Sequence, residues 1–347
     1  MARVRRIGMA VVGLGGIARR AVLPAFRHSK RARLAALVSS NQAKAARLAK
    51  EFGAPQVYSN GDYQQCLSNP AVEAVYLASP NGCHMQQTID AAAAGKHILC
   101  EKPMANTVQD CAAMIAACRQ RVRLMIAYRK YFEPGSIALK KLIKTGKLGR
   151  LRLMQSAFTI MFPPGKAGGW RFDPSLAGGG ALPDLGIYCI NTARWLAGAD
   201  PLEAEAHSWI TDPARFSEAI DEHVAFRLNF PEGLVLQACA SFGAAQASYL
   251  HVNGERGWAA LDPAFAWDEE RRLFGKAGGG RKGQWFERKF PVIDEFALEI
   301  DAFASCVIDG REPEPGGIDG LRDVAAIEAI YRAARERRTV PVVIPAI

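Results

Sequence analysis

The sequence contains no apolar run approaching the roughly 20 residues needed to span a bilayer, which excludes a membrane-embedded helix. It contains no Cys-x-x-Cys pair either. Its cysteines, Cys66, Cys83, Cys100, Cys111, Cys118, Cys189, Cys239 and Cys306, are scattered, and no histidine spacing suits zinc. They read as reduced thiols of a cytoplasmic protein, and no metal is expected. The formal charge of +10 is dispersed among acidic residues rather than arrayed on a nucleic-acid module. Neither nucleic acid nor a membrane is therefore an expected partner, and a phosphate-bearing small molecule meets the same need for negative charge. The basic, glycine-rich stretch Gly275–Gly283 lacks the Gly-Lys-Ser/Thr ending of a phosphate loop and reads as a surface turn between strands. Repeats of fixed period and low-complexity linkers are missing too. The opening apolar run stops too soon, at glycines, to be read as an export signal.

A length of 347 residues exceeds what one core usually holds, so two domains are expected, residues 1–128 and 129–347. Ile7–Val12 is an apolar run of strand length, followed at once by Gly13-Leu14-Gly15-Gly16-Ile17-Ala18 and an alanine-rich helical segment. In that strand-turn-helix context, Gly-x-Gly-x-x-Ala suits a dinucleotide. The first glycine allows the turn, the second admits the pyrophosphate to the backbone, and the small Ala18 lets the helix pack on the strand. Gly13, Gly15, Gly16 and Ile17 are the candidate phosphate cradle, at a helix start whose free N–H groups favour an anion. A site selective for NAD usually closes its second strand, here Leu34–Val38, with an acidic residue for the ribose 2′-hydroxyl. This chain has Ser39-Ser40-Asn41 there, with Lys44 one turn on. Hydroxyls and an ammonium suit a 2′-phosphate, so NADP is the expected cofactor.

Helical and strand patterns then alternate through Gln42–Phe52, a short strand near Val57, Val72–Ala78, His84–Ala94, His97–Cys100, Thr107–Arg121 and Leu124–Ala127. That alternation predicts a doubly wound parallel α/β sheet. Strand-end loops line the crevice of such sheets, which puts Ser79-Pro80-Asn81-Gly82 and Glu101-Lys102-Pro103 beside the cofactor. Beyond Tyr128, a helix over Gly135–Thr145 leads into aromatic, alternating runs: Leu151–Thr159, Leu202–Ile210, Val224–Phe230, Leu234–Ser241, Ser248–Asn253 and Gly257–Leu261. Turn signals between them predict an α+β domain with a large, mostly antiparallel sheet. Helices Glu295–Asp309 and Asp319–Arg337 follow, the last a candidate to pack back on the first domain.

One helix interrupts the strand series. After Gly178-Gly179-Gly180, the periodicity through Ile187, Ile190 and Leu196 predicts a helix over Pro183–Leu196, with Pro183 at its first position. Asp184, Tyr188 and Asn191 then fall on one face, since residues three and four apart stack on adjacent turns. A carboxylate, a phenol and an amide in a row suit a substrate, or equally a partly buried amphipathic helix.

With these residues in view, the chain resembles the glucose-fructose oxidoreductase/inositol dehydrogenase/MocA-like family, in particular its glucose-fructose oxidoreductase branch, over nearly its whole length. The motifs that carry the resemblance are Gly13–Ala18, Ser79-Pro-Asn-Gly-Cys-His84, Ala94-Gly-Lys-His-Ile-Leu-Cys-Glu-Lys-Pro103, Trp170-Arg171 ahead of Ala177-Gly-Gly-Gly180, Asp184-Leu-Gly-Ile-Tyr-Cys-Ile-Asn191 and Ala329-Ile-Tyr-Arg-Ala-Ala334. It implies an N-terminal Rossmann domain, an α+β second domain, and an NADP-dependent oxidoreductase acting on CH–OH groups of an aldose or related polyol. The family's catalytic lysine falls on Lys102, its substrate-site aspartate on Asp184 and its acid/base on Tyr188. Many relatives carry histidine as the base and aspartate three residues on, where this chain has Tyr188 and Asn191. The 2′-phosphate contacts fall on Ser39 and Lys44. The expected cofactor set further takes in Ser40, Ser79, Asn81, His84, Glu101, Lys102, Arg129, Trp170 and Arg171. The expected substrate set is Lys102, Arg129, Phe162, Trp170, Asp184 and Tyr188, with the loop Ile160–Pro174 as a pocket wall.

A phenol has an ordinary pKa of about 10 and is a poor base at neutral pH. A nearby Lys102 ammonium would favour the tyrosinate. Three functional readings stand at this point: aldose oxidation coupled to sugar reduction on tightly bound NADP, a dihydrodiol- or xylose-type dehydrogenase with exchangeable NADP, and a non-catalytic NADP sensor, against which the trio Lys102, Asp184 and Tyr188 argues. An exposed sheet face in the second domain predicts a homo-oligomer, dimer or tetramer.

Overall fold

The structure is a computed structural model that describes residues 5–162, 169–279 and 282–347. The chain divides into two compact units. One comprises the residues up to Arg129 together with Asp294–Leu321; the other comprises Lys130–Ile293 and Arg322–Ile347.

The first unit is built on six parallel strands, β1 (Ile7–Val12), β2 (Ala32–Val38), β3 (Gln56–Tyr58), β4 (Ala74–Leu77), β5 (His97–Cys100) and β6 (Leu124–Ile126), in the order β3-β2-β1-β4-β5-β6. The order reverses between β1 and β4, the switch point where such sheets open a crevice. All positions of β1 and β4 are buried, as befits central strands covered on both faces, which explains why they read as continuous apolar runs. Local chemistry sets the crossover helices. Asn41 caps Gln42–Phe52 by accepting from Lys44 N, and Thr107 caps Val108–Cys118 by accepting from Asp110 N. The short helix Tyr63–Ser68 buries Tyr63, Cys66 and Leu67 on one face, too brief a pattern to mark a helix in the sequence.

The second unit holds a nine-stranded sheet: β7 (Leu151–Met161), β8 (Glu203–Trp209), β9 (His223–Asn229), β10 (Val235–Ser241), β11 (Gly243–Gly254), β12 (Gly257–Asp262), β13 (Arg271–Ala277), β14 (Gln284–Phe290) and β15 (Val340–Pro341). Its order is β14-β13-β12-β11-β7-β10-β9-β8-β15. Neighbours are antiparallel except β7 and β10, which run parallel, so the sheet is mostly antiparallel as the alternation predicts. Strands β13 and β14 are additions. The stretch read as a turn, Gly275–Gly283, begins inside β13, where Gly275 packs so close that a Cβ would stand 2.2 Å from Trp258 O. Residues 280–281 of that stretch lie outside the described ones, as do residues 163–168 of the expected pocket wall. The helix Ile187–Ala197 lies on this sheet, with Ser156 Oγ of β7 donating to Cys189 Sγ at 3.3 Å. Among the described residues no helix is long and apolar enough to cross a membrane.

Candidate active site

In the first unit the glycine turn is pressed against the sheet. Gly13 N donates to Val38 O at 3.0 Å, Gly13 has φ +89°, and a Cβ there would stand 2.6 Å from Ser79 N, so only glycine fits. A Cβ on Gly15, by contrast, would meet nothing within 4 Å. The backbone is thus open to an approaching group there, as a pyrophosphate requires. A cleft of about 240 Å³ opens alongside, between Val12, Val38, Asn60, Gly61, Tyr63 and Gln87.

The remaining candidates of this unit separate into accessible and enclosed groups. Ser40 is exposed and Lys44 partly so, whereas Ser39 is buried with its Oγ accepting from Asn41 N. Ser79 Oγ donates to Gln87 Oε1 at 2.6 Å, and Asn81 is buried. His84 is fully buried, with Nδ1 3.1 Å from Pro103 O and Nε2 3.0 Å from Ser79 O. Its ring nitrogens face backbone, so His84 ties together the two loops expected at the cofactor rather than presenting itself to a ligand. Burial lowers the imidazole below its ordinary value, and the backbone carbonyls of Ser79 and Pro103 pull it partly back.

Lys102 is distinguished by contrast with its neighbours. From Ile98 to Ala105 it alone reaches solvent. Behind it, Glu101 is buried and accepts from the Tyr76 hydroxyl at 2.9 Å and from Lys102 N at 3.3 Å. Burial pushes the Glu101 carboxyl up, and the nearby Lys102 and Arg129 charges and the Tyr76 hydrogen bond pull it back. Arg129 is buried too, ion-paired at 2.5 Å with Glu295, so its guanidinium belongs to this packed interior. Glu299 completes the cluster and is pushed well up, chiefly by burial and then by Glu101.

The glycine-led helix of the second unit begins with a wide turn, Leu182–Gly186, in which hydrogen bonds span five residues, and continues as a regular helix, Ile187–Ala197. From Gly179 to Arg194 only Asp184 and Tyr188 reach solvent. The expected third member of the row, Asn191, does not join them. It is buried and its Nδ2 donates to Asp323 Oδ2 at 2.7 Å, in a cluster where Arg194 bridges Asp323 and Asp200 at 2.6 Å each. Because the hydrogen bonds of the first turn span five residues, successive residues there are rotated less than in a regular helix, and Asn191 falls away from the face that carries Asp184.

Tyr188 stands edge-on to Phe158 at 5.4 Å between centroids and tilted against Phe265 at 5.7 Å, which fixes its ring plane. Asp184 Oδ2 receives Arg171 Nε at 3.0 Å, both side chains half-buried, and the Arg171 guanidinium lies 4.5 Å over the Trp170 ring. Phe162, Phe172, Phe216 and Phe242 pack around these groups in one apolar cluster with Ala181 and Leu185. Trp170, Arg171 and Phe162 therefore neighbour the Asp184 end of the helix. Phe158 carried no sequence signal beyond strand alternation, and Phe265, in the loop after β12, carried none; only the packed second unit brings them to Tyr188.

Comparison with known proteins supplies the family context. Residues 7–128 match the oxidoreductase family with an NAD-binding Rossmann fold, and residues 137–260 match the GFO/IDH/MocA C-terminal domain. A D-xylose 1-dehydrogenase (NADP+) of Haloarcula marismortui is 32% identical over 96% of this chain and 92% of its own. Another, of Haloferax volcanii, is 29% identical over 93% and 96%. The crystal structure of an aldose-aldose oxidoreductase from Caulobacter crescentus is 38% identical, with a TM-score of 0.90 over 97% of this chain and 100% of that one.

Proposed function

The chain belongs to the oxidoreductase family with an NAD-binding Rossmann fold and a GFO/IDH/MocA C-terminal domain, and from that premise we propose that it is an NADP-dependent sugar oxidoreductase acting on an aldose or related polyol. The observation that carries this reading is the selective exposure of three polar side chains from otherwise buried stretches: Lys102 in one unit, Asp184 and Tyr188 in the other. The names of the similar xylose dehydrogenases and aldose-aldose oxidoreductase support it.

The residues present fit the cofactor, since Gly13 admits no side chain and the backbone at Gly15 lies open. Gly13, Gly15, Gly16 and Ile17 would hold the pyrophosphate, and Ser39, Ser40 and Lys44 the 2′-phosphate. When bound, NADP supplies the nicotinamide that exchanges a hydride with the sugar carbon. The protein's part is proton handling and orientation. Tyr188 Oη takes the hydroxyl proton as the carbonyl forms, and positive charge on Lys102 favours its departure. Asp184, oriented by Arg171, accepts a hydrogen bond from a sugar hydroxyl and so selects the carbon that reacts. A second copy of the chain would cover the open face of the sheet, where Tyr249, His251, Trp258, Phe274 and Trp285 form an unbroken chain of ring contacts.

The test is to purify the protein, identify any nucleotide retained after desalting, and screen aldoses for reduction of NADP and of NAD. Aldose-dependent reduction with NADP preferred, and a preference that shrinks in Lys44→Ala, is expected. No turnover with any aldose, or equal use of NAD before and after the substitution, would count against the reading. Retained nucleotide would favour the coupled cycle over free exchange.

A further inference from the structure

Two features singled out by the sequence have no part in the chemistry above: the triple glycine Gly178-Gly179-Gly180 and the motif around Tyr331. The structure joins them through Asp221, two residues before β9. Its carboxylate accepts from Gly180 N at 2.7 Å and from Leu182 N at 2.8 Å, while its carbonyl accepts from Ala181 N at 3.0 Å. Three consecutive amides at the start of the Asp184–Tyr188 helix are thus held by one residue of the loop before β9. The Tyr331 hydroxyl donates to the same carboxylate from the last helix, Gly317–Glu336.

The glycines fit this clamp one by one. Gly178 closes the short helix Pro174–Ala177 in the left-handed conformation, at φ +71°. Gly179, at φ +147°, lies under Tyr331, where a Cβ would stand 2.0 Å from the hydroxyl oxygen. Gly180 lies under the Asp221 backbone, where a Cβ would stand 1.9 Å from its carbonyl oxygen. Asp221 is buried, and burial together with the Asp221 charge keeps the Tyr331 phenol well above its ordinary value, so it remains a donor.

We propose that Asp221 and Tyr331 are positioning residues that fix the wide turn, and with it the separation and direction of Asp184 and Tyr188. This rests on the catalytic reading of those two side chains, and neither Asp221 nor Tyr331 is assigned a contact with sugar or cofactor. The amides entering the wide turn have weak internal partners, the bond from Asp184 N to Gly180 O being long at 3.4 Å. An external clamp of charge-assisted bonds compensates for that weakness.

The experiment compares Asp221→Asn and Tyr331→Phe with the wild type in two ways. Amide hydrogen exchange over residues 178–188 reads the clamp without reference to activity. Turnover with C4-deuterated NADPH and a ketose or aldose reads hydride transfer. Asp221→Asn keeps the shape but turns an NH2 group toward one of the amide donors. It should lose protection in this segment, lower kcat roughly 10- to 100-fold, the range for one hydrogen bond to a charged group, and raise the primary isotope effect, with NADP affinity unchanged. Tyr331→Phe should show the same changes in smaller measure and serves if the first variant does not fold. Unchanged protection overturns the proposal, and so does lost protection with kcat and isotope effect per folded molecule unaltered. Wild-type protein that turns over no sugar would instead refute the functional reading, while the exchange data would still report on the clamp.

Discussion

His84 illustrates how a residue that a motif places beside a ligand can serve the scaffold instead. Its ring sits between the carbonyls of Ser79 and Pro103, with burial holding its value below the ordinary 6.5 against the pull of those carbonyls. In the unfolded chain it takes a proton once the pH falls below about 6.5; in the folded chain it resists until the depressed value. It therefore contributes stability that is present above the unfolded value and lost as pH falls through the folded one, by at most ~1.4 kcal/mol per pH unit. The melting temperature of the wild type should fall as the pH drops below about 6.5, by roughly 2–4 °C per kcal/mol, and His84→Gln should flatten that fall. An equal fall in both proteins would show that another group carries it. Sequence marked Lys102 by its place between an apolar strand and Pro103, and Tyr188 by its helical spacing from Asp184; both are partly exposed in the structure. Arg129, named with them, is buried instead, since nothing local reveals that Glu295, distant in sequence, would take up its guanidinium.

At the scale of elements, strands and helices were legible where period and caps agreed. Ile7–Val12, Gln42–Phe52, His97–Cys100 and Glu295–Asp309 have the predicted bounds. The failures are equally physical. Strands β13 and β14 combine glycine, lysine and arginine with their aromatics, so the alternation that marks a half-buried strand is blurred. The glycine-led helix was found, but its wide first turn was not, because five residues hold too little of a hydrophobic stripe to distinguish the two periods. That single difference removes Asn191 from the row and leaves Asp184 and Tyr188 as a pair. The proposed clamp residue, Asp221, lies in the loop before β9, distant in sequence, and so beyond any local pattern.

For the whole molecule, composition and motif order anticipated a parallel sheet followed by a mostly antiparallel one. That Asp294–Leu321 counts with the first unit was not legible, because an amphipathic helix does not declare which sheet its apolar face will cover. Self-association belongs at this scale. The ring chain on β11–β14 ends at Trp285, which is 59% exposed, and a patch of this kind is normally covered. Sedimentation should give at least twice the mass of one chain, and Trp285→Lys should lower it. A wild type that remains a single chain at micromolar concentration would refute the sheet-mediated oligomer.

The central claim is that Tyr188 exchanges the proton while the cofactor exchanges the hydride. Its most direct test is kcat of Tyr188→Phe with an aldose that the wild type oxidises, alongside NADP affinity measured by fluorescence. The account predicts a loss of at least ~100-fold in kcat, the usual range for removing a general acid/base, with NADP affinity unchanged. Turnover near the wild-type rate would contradict it.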